Sequence, residues 1–92
     1  MGERRIWKWT IRLVDEQTIH VPVGASPLDV QVQGDHLVLW ALVDATAPSE
    51  LRTVRIVGTG NPVQDDPGVY VGTVQIHGGS LVWHVFMEAS DG

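Results

Sequence analysis

Seven consecutive apolar residues, Leu37 to Val43, lie between His36 and Asp44, and this stretch constrains the fold more than any other in the chain. It is too short to cross a bilayer, which takes roughly 20 apolar residues in a helix. It is also too continuous for a strand with one wet face, where apolar and polar residues alternate. Read as a strand, it directs Leu37, Leu39, Ala41 and Val43 to one side and Val38, Trp40 and Leu42 to the other. One core covers one side in a chain of 92 residues. The other side asks for a second layer, a partner subunit or a ligand, so association is the first functional expectation.

Elsewhere turn residues recur every eight to twelve positions and no amphipathic helical stripe develops, which predicts an all-β fold. The expected architecture is a small antiparallel β-sandwich or partly open barrel of about seven strands, one domain over residues 1–92 with an ordered core at about 5–88. Strand one, about Arg5 to Val14, alternates cleanly, with Trp7, Trp9, Ile11 and Leu13 assigned to the core. Thr18 to Val23 follows, demoted to an edge by Pro22. Leu28, Val30 and Val32 mark a half-exposed third strand, joined through Gly34 and Asp35 to the apolar fourth. Asp44 to Leu51 reads as a surface loop and Arg52 to Val57 as strand five. Val69 to Ile76 is strand six, where Gly72 signals a bulge or the close approach of another backbone. A turn at His77 to Ser80 leads into the last strand, Leu81 to Glu88, and Ala89 to Gly92 is a frayed tail.

Composition narrows the function classes. Eleven acids against six Lys and Arg give a net charge of −5, which opposes attraction to phosphate backbones, so duplex nucleic acid is not an expected partner. No cysteine exists, which removes disulfides and thiolate metal sites. His20, His36, His77 and His84 are widely spaced without a metal-binding motif, so neither metal nor cofactor is expected. No serine sits in a nucleophile elbow, and the acid pairs Asp15–Glu16 and Asp65–Asp66 fall in turns, so the chain does not read as an enzyme. The start is interrupted by Lys8, Thr10 and Arg12 rather than forming an apolar signal segment, which predicts a cytoplasmic, non-membrane protein.

The binding candidates are few. Gly58, Thr59, Gly60 and Asn61, followed by Pro62, form a glycine turn whose amides could cradle an anion, although no Walker lysine or helix follows it. Arg55 or Lys8 could supply charge. Four tryptophans exceed what a small core needs. Trp40 and Trp83 are the candidates for a stacking face, and His84 for a ligand or interface hydrogen bond.

Ile6 to Lys8 (IWK), Leu39 to Asp44 (LWALVD), Ile56 to Gly60 (IVGTG) with Pro62, Val71 to Thr73 (VGT) and Leu81 to Phe86 (LVWHVF) together resemble a family of short bacteriophage and prophage proteins classed as a domain of unknown function. The likeness spans nearly the whole chain and departs only at the termini. It implies a viral protein acting in an infected bacterium, typically a stand-alone unit, and it brings no catalytic residues. Two expectations follow. One is a homo-oligomer that sequesters a small anionic molecule, such as a nucleotide signal of host defence. The other is a virion accessory or interaction module acting through an apolar face. For the oligomer, Trp40 with Val38 and Leu42 is the expected interface.

Overall fold

The computed structural model describes residues 2–90 and contains seven strands with a single 3-10 turn. They are β1 (Arg4–Ile11), β2 (Glu16–Pro22), β3 (Ser26–Gln33), β4 (His36–Asp44), β5 (Ser49–Gly58), β6 (Val69–Ile76) and β7 (Leu81–Met87). Two antiparallel sheets form, in the orders β1-β4-β3 and β2-β5-β7-β6. The fold is therefore an all-β sandwich, not closed into a barrel.

The apolar run becomes β4 with the bounds that the sequence predicts, and its central place explains its composition. Leu37, Leu39, Ala41 and Val43 face the second sheet and join the core with Val21, Val30, Val54, Ile56, Val85 and Met87. On the outer face Val38 is only 2% exposed, although it lies outside that core. Its register neighbours Thr10 and Gln31 flank it, so strand neighbours rather than a second layer bury it. Trp40 and Leu42 stay half-buried.

β1 and β2 form one side of the sandwich, and β3 and β6, which pack alongside each other, form the other. The β1 side is the looser. The strand stops at Ile11 rather than Val14, which leaves Leu13 beyond it at 48% exposed, and Trp7 is 40% exposed although it faces inward. Both depart from the expected core assignment because an edge strand has a neighbour on one side only. Trp9 is half-buried, and its indole Nε1 donates to the carbonyl of His20 on β2 at 3.0 Å, tying the two sheets.

Three further differences have local causes. β2 starts earlier, at Glu16, because Glu16 pairs in register with Arg55. β5 starts at Ser49, which shortens the expected loop, because Ser49 and Glu50 pair with Pro22 and Val21. Leu28 is 48% exposed because β3 shifts register between Pro27 and Asp29. The C-terminal segment is anchored as far as it is described: Ser90 Oγ donates to Glu50 Oε2 at 2.9 Å and accepts from the Gly24 amide at 3.1 Å. Asp91 and Gly92, the rest of the expected tail, lie outside the described residues.

At Gly72 the expected bulge is present, with a register shift between Tyr70 and Gly72. The close neighbour is a side chain rather than the expected backbone: a Cβ added here would stand 3.1 Å from Val30 Cγ1 on β3, with the Val30 backbone nitrogen at 3.8 Å. The bulge has a second effect. Residues three apart on a regular strand face opposite sides, but Tyr70 and Thr73 pair with Phe86 and His84, which share the outer face.

Candidate functional site

Six of the nine residues singled out from the sequence gather where β5 leaves the four-stranded sheet: Arg55, Gly58, Thr59, Gly60, Asn61 and His84. Two adjoining hollows surround them. One, of about 380 Å³, is lined by Asp15, Glu16, Arg55, Gln64 and Pro67; the other, of about 200 Å³, by Thr59, Gly60, Tyr70, His84 and Phe86. Val57, Gly58, Asn61 and Val63 belong to both.

His84 sits in the middle of a chain of hydroxyls. Its Nε2 is 2.7 Å from Thr59 Oγ1 and its Nδ1 3.1 Å from Thr73 Oγ1, which in turn bonds the Tyr70 hydroxyl. A neutral imidazole donates through one nitrogen and accepts through the other, and each hydroxyl serves either role, so the chain is satisfied in either direction. Thr59 with His84 has the geometry of a hydroxyl beside a base. The far nitrogen rests on a hydroxyl rather than a carboxylate, so no fixed anion orients it or stabilises an imidazolium as in a hydrolytic triad.

Arg55 is half-buried and already engaged. Its Nε donates to Glu16 Oε1 at 3.1 Å and its Nη1 to the Pro67 carbonyl at 3.2 Å. Glu16 is 60% exposed, and ion pairs of this kind contribute about 0–1 kcal/mol, so a ligand anion can take its place. The glycine turn is likewise partly used: the Thr59 amide donates to Val82 O at 3.2 Å and the Asn61 amide to Gly58 O at 3.0 Å. Gly60 adopts φ 90°, which the turn needs and side chains resist. Gly58 is small for a different reason. A Cβ there would lie 3.0 Å from Asn61 Nδ2 and 3.1 Å from the Trp83 ring.

The remaining three residues do not join the site as ring or charge donors. Trp83 pairs in register with Gly58 and faces inward, packing beneath the turn against the core, with its Nε1 buried and without a hydrogen-bond partner among the described residues. Lys8 and Trp40 are register partners on the outer face of the other sheet, where Lys8 Nζ donates to Gln33 Oε1 at 3.3 Å. They are kept apart from Arg55 by strand order: β1 and β4 belong to one layer and β5 to the other.

The aromatic surface beside His84 comes instead from Tyr70 and Phe86, an edge-to-face pair with centroids 5.3 Å apart. Neither was singled out from the sequence. The available signal was the hairpin register of β6 and β7, which needs the Gly72 bulge to place Tyr70 correctly. A larger hollow of about 570 Å³ opens at the end of the sandwich between Ile11, Leu37 and Ile76, rimmed by Arg12, Asp35, His36 and His77. His36 and His77 are both exposed on this rim. Among the described residues no group of three His, Asp or Glu is placed to hold a metal ion, and no helix is long and apolar enough to cross a membrane.

These features define a small two-sheet β-sandwich with a loop-end pocket on its four-stranded face. The chain matches, over residues 2–92, the family described as a domain of unknown function, DUF7352, and belongs to it. No curated protein and no solved structure matches it.

Proposed function

We propose that the protein is a stoichiometric binding module, without catalytic chemistry of its own, that sequesters a small anionic molecule carrying a planar ring, such as a nucleotide. The observation that carries this reading is the convergence of Arg55, His84 and the Gly58–Asn61 turn on two adjoining hollows. Tyr70 and Phe86 offer the ring an aromatic edge. The ligand's anion displaces Glu16 from Arg55 and the Thr59 hydroxyl from His84, whose Nε2–H then donates to it. A net charge of −5 repels anions at long range, so binding relies on short charge-assisted bonds inside the pocket. The resemblance to phage and prophage proteins extends the reading to a viral protein that removes a nucleotide signal of host defence in the cytoplasm of an infected bacterium.

Calorimetry against a panel of linear and cyclic nucleotides tests this. Arg55→Ala is expected to weaken binding by about 1.5–3 kcal/mol, the range for hydrogen bonds to charged groups, with the fold intact. No heat with any nucleotide, or equal affinity in the variant, refutes it.

A second reading, self-association or an interaction module acting through the outer face of the three-stranded sheet, has one observation in its favour. Ile6, 61% exposed, lies in register beside half-buried Leu42, next to Trp40. Val38, already covered, adds nothing to such an interface. If this face joins copies, Trp40→Glu dissociates them; light scattering that finds a wild-type monomer at roughly tens of micromolar, where modest interfaces already assemble, excludes it.

A further inference from the structure

Sheet edges that present unpaired backbone groups are ordinarily blunted by proline, bulges, charge or cover. Three of the four edges here are blunted by shape. β2 ends in Pro22, while β3 and β6 each carry a register shift and pack alongside each other. β1 differs. It keeps eight consecutive register pairs with β4 without a bulge, contains no proline and, among the described residues, has no strand on its other side.

The Ala45 amide donates to the Glu3 carbonyl, which sets the phase of the β1–β4 ladder. By the antiparallel alternation, Arg4, Ile6, Lys8 and Thr10 turn their N–H and C=O groups to the free edge. β1 holds three of the six cations of the chain, Arg4, Arg5 and Lys8, and Arg12 follows just past its end. Arg52 and Arg55 are both neutralised by glutamates and Arg5 by Glu3, whereas Arg4, Lys8 and Arg12 form no ion pair among the described residues, although Asp44 stands opposite Arg4 in register. Trp7 stands exposed on the inner side of the same edge. Among the described residues, a chain of net charge −5 thus carries its cations that lack an ion pair on, or just past the end of, its one straight, open edge.

From this we infer that β1 is a docking edge for an extended acidic segment of another protein, which adds as a fourth strand to the β1-β4-β3 sheet. Backbone hydrogen bonds supply affinity, and alternate side chains supply selectivity. Acidic residues four apart lie opposite Arg4 and Lys8, and an apolar residue on the other face of the segment covers Trp7. A second copy is disfavoured, because β1 paired with β1 brings cation against cation. The proposal stands apart from the nucleotide reading, since it uses the other sheet.

The probe is a terminally blocked eight-residue peptide alternating Glu and Val, titrated into the full chain and followed by amide chemical shifts and tryptophan fluorescence. Saturable binding is expected, with shifts centred on Arg4 to Thr10, weakening as salt rises. Lys8→Glu is expected to weaken it at least fivefold and to confer binding of the matching Lys–Val peptide, which also shows that the variant is folded. N-methylation of alternate peptide amides is expected to abolish binding while leaving the charges.

Four results overturn the proposal: no binding of the Glu–Val peptide at millimolar concentration, undiminished binding of the N-methylated peptide, β1 edge amides already protected from exchange by a second copy, or tighter capture of single-stranded oligothymidine by the same residues.

Discussion

Substitution of Gly72 tests the link between strand packing and the site. A Cβ at this position lies 3.1 Å from Val30 Cγ1 and 3.4 Å from Asp29 Oδ1, against an optimum of about 3.5–4.0 Å for carbon pairs. Val30 is 1% exposed and cannot swing into solvent, so β3 or β6 must shift. Overpacking of this kind costs about 1–3 kcal/mol, and loss of glycine's freedom in the unfolded chain returns about 0.4–1 kcal/mol. The net expectation for Gly72→Ala is a destabilisation of about 0.5–2 kcal/mol, rising to about 3 kcal/mol for Gly72→Val as further methyl groups enter. Val30→Ala removes the obstructing methyl groups. Alone it costs about 2 kcal/mol in lost burial and cavity, but combined with Gly72→Ala it costs less than the sum by at least about 0.5 kcal/mol. Urea unfolding followed by tryptophan fluorescence, with the slope checked for constancy, measures all four corners of this cycle. Additivity within about 0.3 kcal/mol, or a stabilised Gly72→Ala, refutes the close-approach argument.

Other expectations concern single side chains elsewhere in the sandwich. Arg52 is 2% exposed and donates from Nε to the Glu88 carbonyl at 2.6 Å and from Nη1 to Glu50 at 3.1 Å; Arg52→Ala is expected to cost about 1.5–3 kcal/mol from the charged hydrogen bond alone, and a loss under about 0.5 kcal/mol in urea unfolding contradicts this. The Thr46 hydroxyl and amide hold Asp44 below the usual aspartate range, and the Ser90 hydroxyl, then Arg52, hold Glu50 below the usual glutamate range. Carboxylates lowered on folding stabilise the protein above their unfolded values and lose that contribution as pH falls through the folded ones. Unfolding midpoints measured from neutral to acid pH are therefore expected to drop less steeply in Asp44→Asn and Glu50→Gln than in wild type, and parallel curves count against the assignment. Trp9→Phe removes the bond to His20 across the open side and is expected to cost about 0.5–1.5 kcal/mol by thermal or urea unfolding; an unchanged midpoint rejects that strut.

Local pattern was enough to predict the all-β class, the bounds of β4 and β6, the Gly34 and His77–Gly79 turns and the Gly72 bulge, because each depends on side-chain alternation or on backbone freedom within a few residues. The turn around Gly58 and the nearby Arg55 and His84 were legible for the same reason, lying on consecutive or hairpin-paired segments. Strand order was not legible. It is set by which apolar faces bury one another across the two layers, and it alone separates Lys8 and Trp40 from the pocket and turns Trp83 inward beneath Gly58. Tertiary structure likewise decided that Tyr70, Thr73 and Phe86 surround His84, since one extra residue in β6 reverses the facing of all that precedes it. It also decided that β1 is an edge, and that Arg4, Arg5 and Lys8, scattered in no unusual way along the sequence, lie on one open strand. Alternation along a strand records which residues share a face; only the packing of the layers determines what that face meets.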